Sequence, residues 1–143
     1  MTAVEKQDYK ILKDHIATSG RRKTATARLF LNKGKGTFLV NNVDIEEYFS
    51  TEKEKLAWMY PFHLIGVSHP LSKFNATIKV AGSGKSAQLG AIVLAFSKAL
   101  ATMSEENQQI LRRNGFLTRD SRMVERKKYW FKKARKKPQF SKR

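Results

Sequence analysis

The chain has 143 residues, no cysteine, 41% hydrophobic side chains and a net charge of +17 at neutral pH. That length holds one domain plus extensions, with apolar content enough for a core. The absent cysteines exclude a disulfide framework, a thiolate nucleophile and a thiolate zinc site, and the charge excess calls for a dense anionic partner such as a phosphate backbone.

The three histidines, His15, His63 and His69, are scattered without ligand spacing, so neither a metal nor another cofactor is expected. No run approaches the roughly 18 apolar residues of a membrane span, and no membrane partner is expected. The N-terminus has no apolar signal region and carries Glu5, Asp8 and Asp14, acids that transit peptides avoid. The expected location is cytoplasmic.

Residues 1–19 read as a polar extension with a weak apolar pattern at Tyr9, Ile11, Leu12 and Ile16. A short helix on a partner and a disordered segment fit it equally. From Thr24 to Leu31, Ala25, Ala27, Leu29 and Leu31 alternate with Thr24, Thr26, Arg28 and Phe30, the period of a strand. The glycines of Asn32–Gly36 suit a hairpin turn, and Thr37–Val43 reads as the returning strand. Asp44 is placed to cap a helix over residues 45–59, with Ile45, Tyr48, Phe49, Leu56 and Met59 inward and Pro61 ending it. Phe62–Val67 and Phe74–Val80 read as two more strands. Gly82-Ser83-Gly84 leads into the strongest helix, Ser86 to Met103. Ser104 caps a last helix, with Glu105 and Glu106 in its first turn and Gly115 just past its end.

This order predicts an α+β domain, a small sheet with helices on one face. The divisions are a 1–19 extension, a 20–118 globular RNA-binding domain and a 119–143 tail. The tail holds twelve Lys or Arg against Asp120 and Glu125, a net of +10. So much like charge cannot close into a core alone.

Gly84-Lys85-Ser86 resembles the end of a phosphate-wrapping loop, but the full pattern needs glycine where Lys79 stands. Nucleotide hydrolysis is therefore not expected. What remains is a helix N-terminus beside Lys85, where one backbone phosphate or mere close packing both fit. Gly20-Arg21-Arg22-Lys23 at a strand entry, continued by Arg28, reads as phosphate contact rather than an ordinary charged edge. The acids Asp44, Glu46, Glu47, Glu52 and Glu54 have no nearby nucleophile or histidine and read as a solvated face; no enzyme is expected. Tyr129, Trp130, Phe131 and Phe140 are interleaved with the tail's cations, suited to stacking on bases or packing on a neighbour.

Several ordered motifs together resemble small-subunit ribosomal protein nine. They are Gly20-Arg21-Arg22-Lys23-Thr24-Ala25-Thr26-Ala27-Arg28, the Gly34-Lys35-Gly36 turn before Val40-Asn41, and Ser86-Ala87-Gln88-Leu89-Gly90-Ala91-Ile92. Leu117-Thr118-Arg119-Asp120-Ser121-Arg122-Met123-Val124-Glu125-Arg126-Lys127-Lys128-Tyr129 and the ending Pro138-Gln139-Phe140-Ser141-Lys142-Arg143 complete the set. The Ser-Lys-Arg ending is similar to bacterial and organellar members, which leaves a mature organellar ribosome open. The resemblance implies a fold like the second domain of ribosomal protein five. It implies a structural, non-enzymatic place in the head of the small subunit, on the 3′ major domain of its rRNA and beside other head proteins, rather than a homo-oligomer. Arg21, Arg22, Lys23, Arg28, Lys85, Arg119, Arg122, Arg126, Lys127 and Lys128 match positions that the family presents to rRNA. The arm continues through Lys132, Lys133, Arg135, Lys136 and Lys137 in the same role, and Ser141, Lys142 and Arg143 match residues that approach P-site tRNA. The chain departs from the family pattern in three places: Trp130 and Phe131 follow Tyr129 where glycine and a basic or aliphatic residue are usual, Ser83 and Ala87 replace glycines, and Ser121 replaces a proline. A free-standing nucleic-acid chaperone would share the charge without these ordered motifs.

Overall fold

The computed structural model of the chain describes residues 15–141. The pattern at Tyr9, Ile11 and Leu12 and the terminal Lys142 and Arg143 lie outside the described residues.

Five strands form one mixed sheet: β1 (Ile16–Arg22), β2 (Ala25–Lys33), β3 (Phe38–Val40), β4 (Val43–Asp44) and β5 (Phe74–Ala81), in the spatial order β1-β2-β5-β3-β4. The helices are α1 (Ile45–Tyr48), α2 (Glu52–Leu64), α3 (Pro70–Lys73), α4 (Lys85–Met103) and α5 (Glu105–Arg113). The α+β class and the one-sided helical layer agree with the sequence expectation. The period-two pattern of β2 is the reason: Ala25, Ala27, Leu29 and Leu31 are buried, while Thr26, Arg28, Phe30 and Asn32 face the other way. On β5, Phe74, Ala76, Ile78 and Val80 join the same inner face. The long helix α4 lies across β1 and β2, with α2 and α5 against it.

The core beneath is aromatic. Phe38, Phe62 and Phe96 pack with ring centroids 5.0–5.7 Å apart, and Trp58 and Phe74 flank them. All but Phe74 are fully buried. Each such ring removes a large apolar area from water, and offset or edge contacts add about 0.5–1.5 kcal/mol per pair.

Four expectations are corrected. First, β2 and β3 do not form a hairpin, because β5 lies between them, antiparallel to β2 and parallel to β3. The Asn32–Gly36 segment turns toward α3 instead: the N–H groups of Gly34 and Gly36 donate to the carbonyls of Lys73 and Leu71. β3 pairs with β4 through Asn41 and Asn42, at φ 50° and 69°, and the Asn41 side chain both donates to and accepts from the Val80 backbone.

Second, the helix expected over residues 45–59 is two. Asp44 caps α1 as predicted, accepting from Glu46 N–H at 2.8 Å. The chain then breaks at Phe49, restarts at Glu52 and runs through Pro61 to Leu64. Phe62–Val67 is therefore no strand: burial of Pro61 and Phe62 in the aromatic cluster outweighs the backbone hydrogen bond that proline cannot make. Leu56 is 64% exposed and Trp58 takes the inward place.

Third, a strand begins at Ile16, inside the stretch read as an extension. Fourth, α4 is long and apolar enough to pass for a membrane span, and its burial across the sheet accounts for that apolarity.

β1 is held to α4 by an absence. A Cβ on Gly20 would lie 1.9 Å from the Ala91 carbonyl oxygen and 2.8 Å from the Ala95 nitrogen. Only glycine lets strand and helix approach so closely. Beside it, the Thr18 hydroxyl donates to the Ala95 carbonyl at 2.9 Å.

The last helix ends as its sequence predicts. Gly115 has φ 75°, its N–H donates to the Arg112 carbonyl, and Phe116 N–H donates to the Leu111 carbonyl. That pair of bonds is a Schellman ending, and it turns the chain toward the tail.

Candidate nucleic-acid interface

The pleat of β1 separates two neighbouring cations. Gly20 faces α4, so Arg22 does too, and Arg21 points to the uncovered face. The Arg22 stem crosses α4 at Gly90, where an added Cβ would stand 3.2 Å from Arg22 Cγ. Its guanidinium then grips the start of the tail. Arg22 Nη1 donates to the carbonyls of Arg122 (2.6 Å) and Asp120 (3.3 Å), and Nη2 pairs with the Asp120 carboxylate at 2.9 Å. Asp120 also accepts from the Arg122 side chain and backbone N–H. Those bonds from Arg122, with the charges of Arg122 and Arg22 behind them, hold the Asp120 carboxyl well below the ordinary carboxylate range against a desolvation that opposes them. Arg119 reaches the Lys23 carbonyl at 3.5 Å. Lys23 sits in the β1–β2 turn at φ 52°. Arg22, Lys23, Arg119 and Arg122, scattered over a hundred residues of sequence, thus meet at the tail root.

Arg28 is elsewhere, on the uncovered sheet face and directly opposite Lys79 of β5. In the sequence Lys79 stands out only as the residue that breaks a phosphate-loop pattern; strand parity puts it on the uncovered face, and the β2–β5 register puts it beside Arg28. Lys85 is in a third place, at the start of α4, its ammonium 5.7 Å from the Tyr48 ring centroid. The Tyr48 O–H donates to the Gln88 amide oxygen at 2.7 Å, and Gln88 Nε2 donates to the Gly82 carbonyl. This first turn is braced from α1.

Residues 119–141 carry no helix or strand. Glu125 draws one stretch together, pairing with Lys128 at 2.8 Å and Arg135 at 2.7 Å, and both hydrogen bonds, Lys128 first, lower its pKa. The Lys132 N–H donates to the Lys136 carbonyl across the loop so formed. Arg126, Lys127, Lys133 and Lys137 have no ion-pair partner among the described residues; the Lys137 ammonium lies 5.9 Å from the Phe131 ring centroid. Tyr129 and Trp130 are 80% and 75% exposed, with ring centroids 5.4 Å apart. Trp130 has φ 64°, a left-handed backbone that is strained for a bulky residue. Ser141 is exposed at the end of the described chain.

The site is a set of solvated cations on a one-sided α+β domain, with Tyr129, Trp130 and Phe140 exposed on its arm, and the sequence of residues 20–143 matches the family of ribosomal protein S9/S16. The chain belongs to this family. As a member of the S9/S16 family it is similar to the small ribosomal subunit protein uS9 of Chlorobaculum tepidum, 46% identical over 92% of this chain and 100% of that one. The same protein of Rickettsia bellii is 43% identical over 97% of this chain and 87% of its own length. That of Cytophaga hutchinsonii is 44% identical over 87% and 94%. The S9/S16 match runs through the tail as well as the domain, which charge and fold alone could not have specified.

Proposed function

We propose that this ribosomal protein is a structural, non-catalytic component of the small subunit of a cytoplasmic ribosome. Its domain and the arm from Arg119 to Lys137 hold small-subunit rRNA in the head, beside other head proteins. Ser141, Lys142 and Arg143 approach the phosphates of P-site tRNA. The observation that carries this reading is the family match across residues 20–143, which joins a basic domain to a basic arm in one order of motifs. The physics agrees with it. Exposed cations without carboxylate partners gain most when they displace counterions from phosphates. A root clamped by Arg22 gives the arm a fixed departure point, so its far end searches a smaller volume. The exposed Tyr129 and Trp130 rings suit stacking on an unpaired base or a sugar.

Deleting Lys142 and Arg143 tests the tRNA assignment. The truncated protein is expected to enter small subunits normally and to weaken P-site tRNA binding, most at low salt, where cation–phosphate contacts contribute most. Undiminished tRNA affinity across magnesium and salt titrations would refute it. The rRNA assignment predicts co-sedimentation with small subunits at moderate salt, where a free chaperone would wash off.

A further inference from the structure

We propose that the uncovered face of the sheet is itself an RNA-backbone contact, centred on Arg28 and Lys79 with Arg21 beside them; this rests on the rRNA reading above and locates part of it. Arg28 and Lys79 are directly opposed in the antiparallel β2–β5 pair. Residues so placed have Cβ atoms about 4.5–5.5 Å apart, and like charges there are destabilising. Arg21 stands opposite Thr26, one diagonal step from Arg28. All three are exposed, and none has an ion-pair partner among the described residues. The strands contain one acid, Asp44, two strands away from β5, and its carboxylate accepts from Glu46 N–H.

A triangle of cations that repels itself and is relieved by no carboxylate is a cost to the free domain. A phosphate chain laid across the strands removes that cost. The flanking side chains fit the same ligand: Ser19, Thr26 and Thr77 offer hydroxyls on the same face, and hydroxyls are ordinary partners of phosphate oxygens. A neighbouring protein would need a strongly acidic surface to do the same.

The test compares full-length protein with the double variant R28Q/K79Q. Binding to small-subunit rRNA is measured across a salt series, and thermal unfolding is measured without RNA. The double variant is expected to bind about ten-fold more weakly near 0.1 M salt, with its log–log salt slope reduced by about two, one for each lost phosphate contact. Its melting temperature is expected to equal or exceed that of the wild type, since repulsion is removed. The charge-keeping variant R28K/K79R should retain the wild-type slope, which separates a lost contact from a damaged fold. An unchanged slope in R28Q/K79Q, with wild-type binding intact, overturns this proposal alone. So does an unchanged slope accompanied by lost crosslinks to a neighbouring protein, which would assign the face to that protein. If the wild-type chain shows no salt-sensitive rRNA binding, the rRNA reading falls and this proposal falls with it.

Discussion

Gly20→Ala adds one methyl group at the tightest point of the molecule. Ordinary van der Waals contact for a Cβ begins near 3.4 Å, whereas this one would lie 1.9 Å from the Ala91 carbonyl oxygen. A gap of 1.5 Å must therefore open between β1 and α4. The atoms in the way are backbone, so no side chain can rotate aside. Overpacking ordinarily costs about 1–3 kcal/mol, and a backbone obstruction belongs at the upper end, about 3 kcal/mol. Part of that is dispersion, because a radial gap of even 0.5–1 Å forfeits about a quarter to a half of each contact. At about 4 °C per kcal/mol for a domain of this size, the melting temperature should fall by about 12 °C. Differential scanning fluorimetry of the full chain measures it. Gly84→Ala is the control, since a Cβ there meets nothing within 4 Å; it should move the transition by no more than about 3 °C. A Gly20→Ala protein melting within 2–3 °C of wild type (roughly 0.5 kcal/mol) would refute the reasoning that this glycine sets the strand–helix distance.

Arg22→Gln removes the guanidinium that holds the Asp120 carboxylate and two tail carbonyls; amide exchange at residues 119–122 should accelerate several-fold while the protection of α4 is unchanged, and uniform exchange across both would exclude a clamp. Because the folded pKa of Asp120 is depressed, its stabilisation is fully present above the ordinary carboxylate value of 3.8 and is lost only as pH falls further. The NMR shifts of Arg22 Nε–H should therefore be flat from pH 8 to 5, and a transition near pH 6 would contradict the pairing. Trp130→Gly relieves a backbone that costs a bulky residue about 1–2 kcal/mol, yet should weaken rRNA binding by about 1–3 kcal/mol if the ring stacks on a base; tighter or unchanged binding would remove Trp130 from the interface.

The elements legible in the sequence were those whose own side chains decide them. β2 alternates cleanly, α4 was located to within one residue at its start, and α5 carries its stop signal in Gly115. The failures share one cause, tertiary contacts that override local signals. Pro61 should end a helix, but Phe62 finds Phe38, Phe74 and Phe96 by staying in it. The glycines after β2 promised a hairpin, but the carbonyls of α3 claimed their N–H groups. Of the candidate site, the kind of residue was readable and the grouping was not. Arg21 and Arg22 look like one patch, yet pleating sends them to opposite faces of the sheet. Lys79 joins Arg28 only through a pairing between distant segments. The clamp on Asp120 depends on where the Schellman turn aims the chain.

β1 has almost no apolar alternation to hold it in place, since its sequence is Ile-Ala-Thr-Ser-Gly-Arg-Arg. A strand of that kind ordinarily has a loosely specified register, and sliding by one residue would turn every side chain over. Here such a slide would drive Ser19 or Arg21 into the Ala91 carbonyl, where no side chain fits. The pairing frame of the edge strand is thus encoded by the one position that carries nothing, and Arg21 and Arg22 inherit their opposite directions from that vacancy.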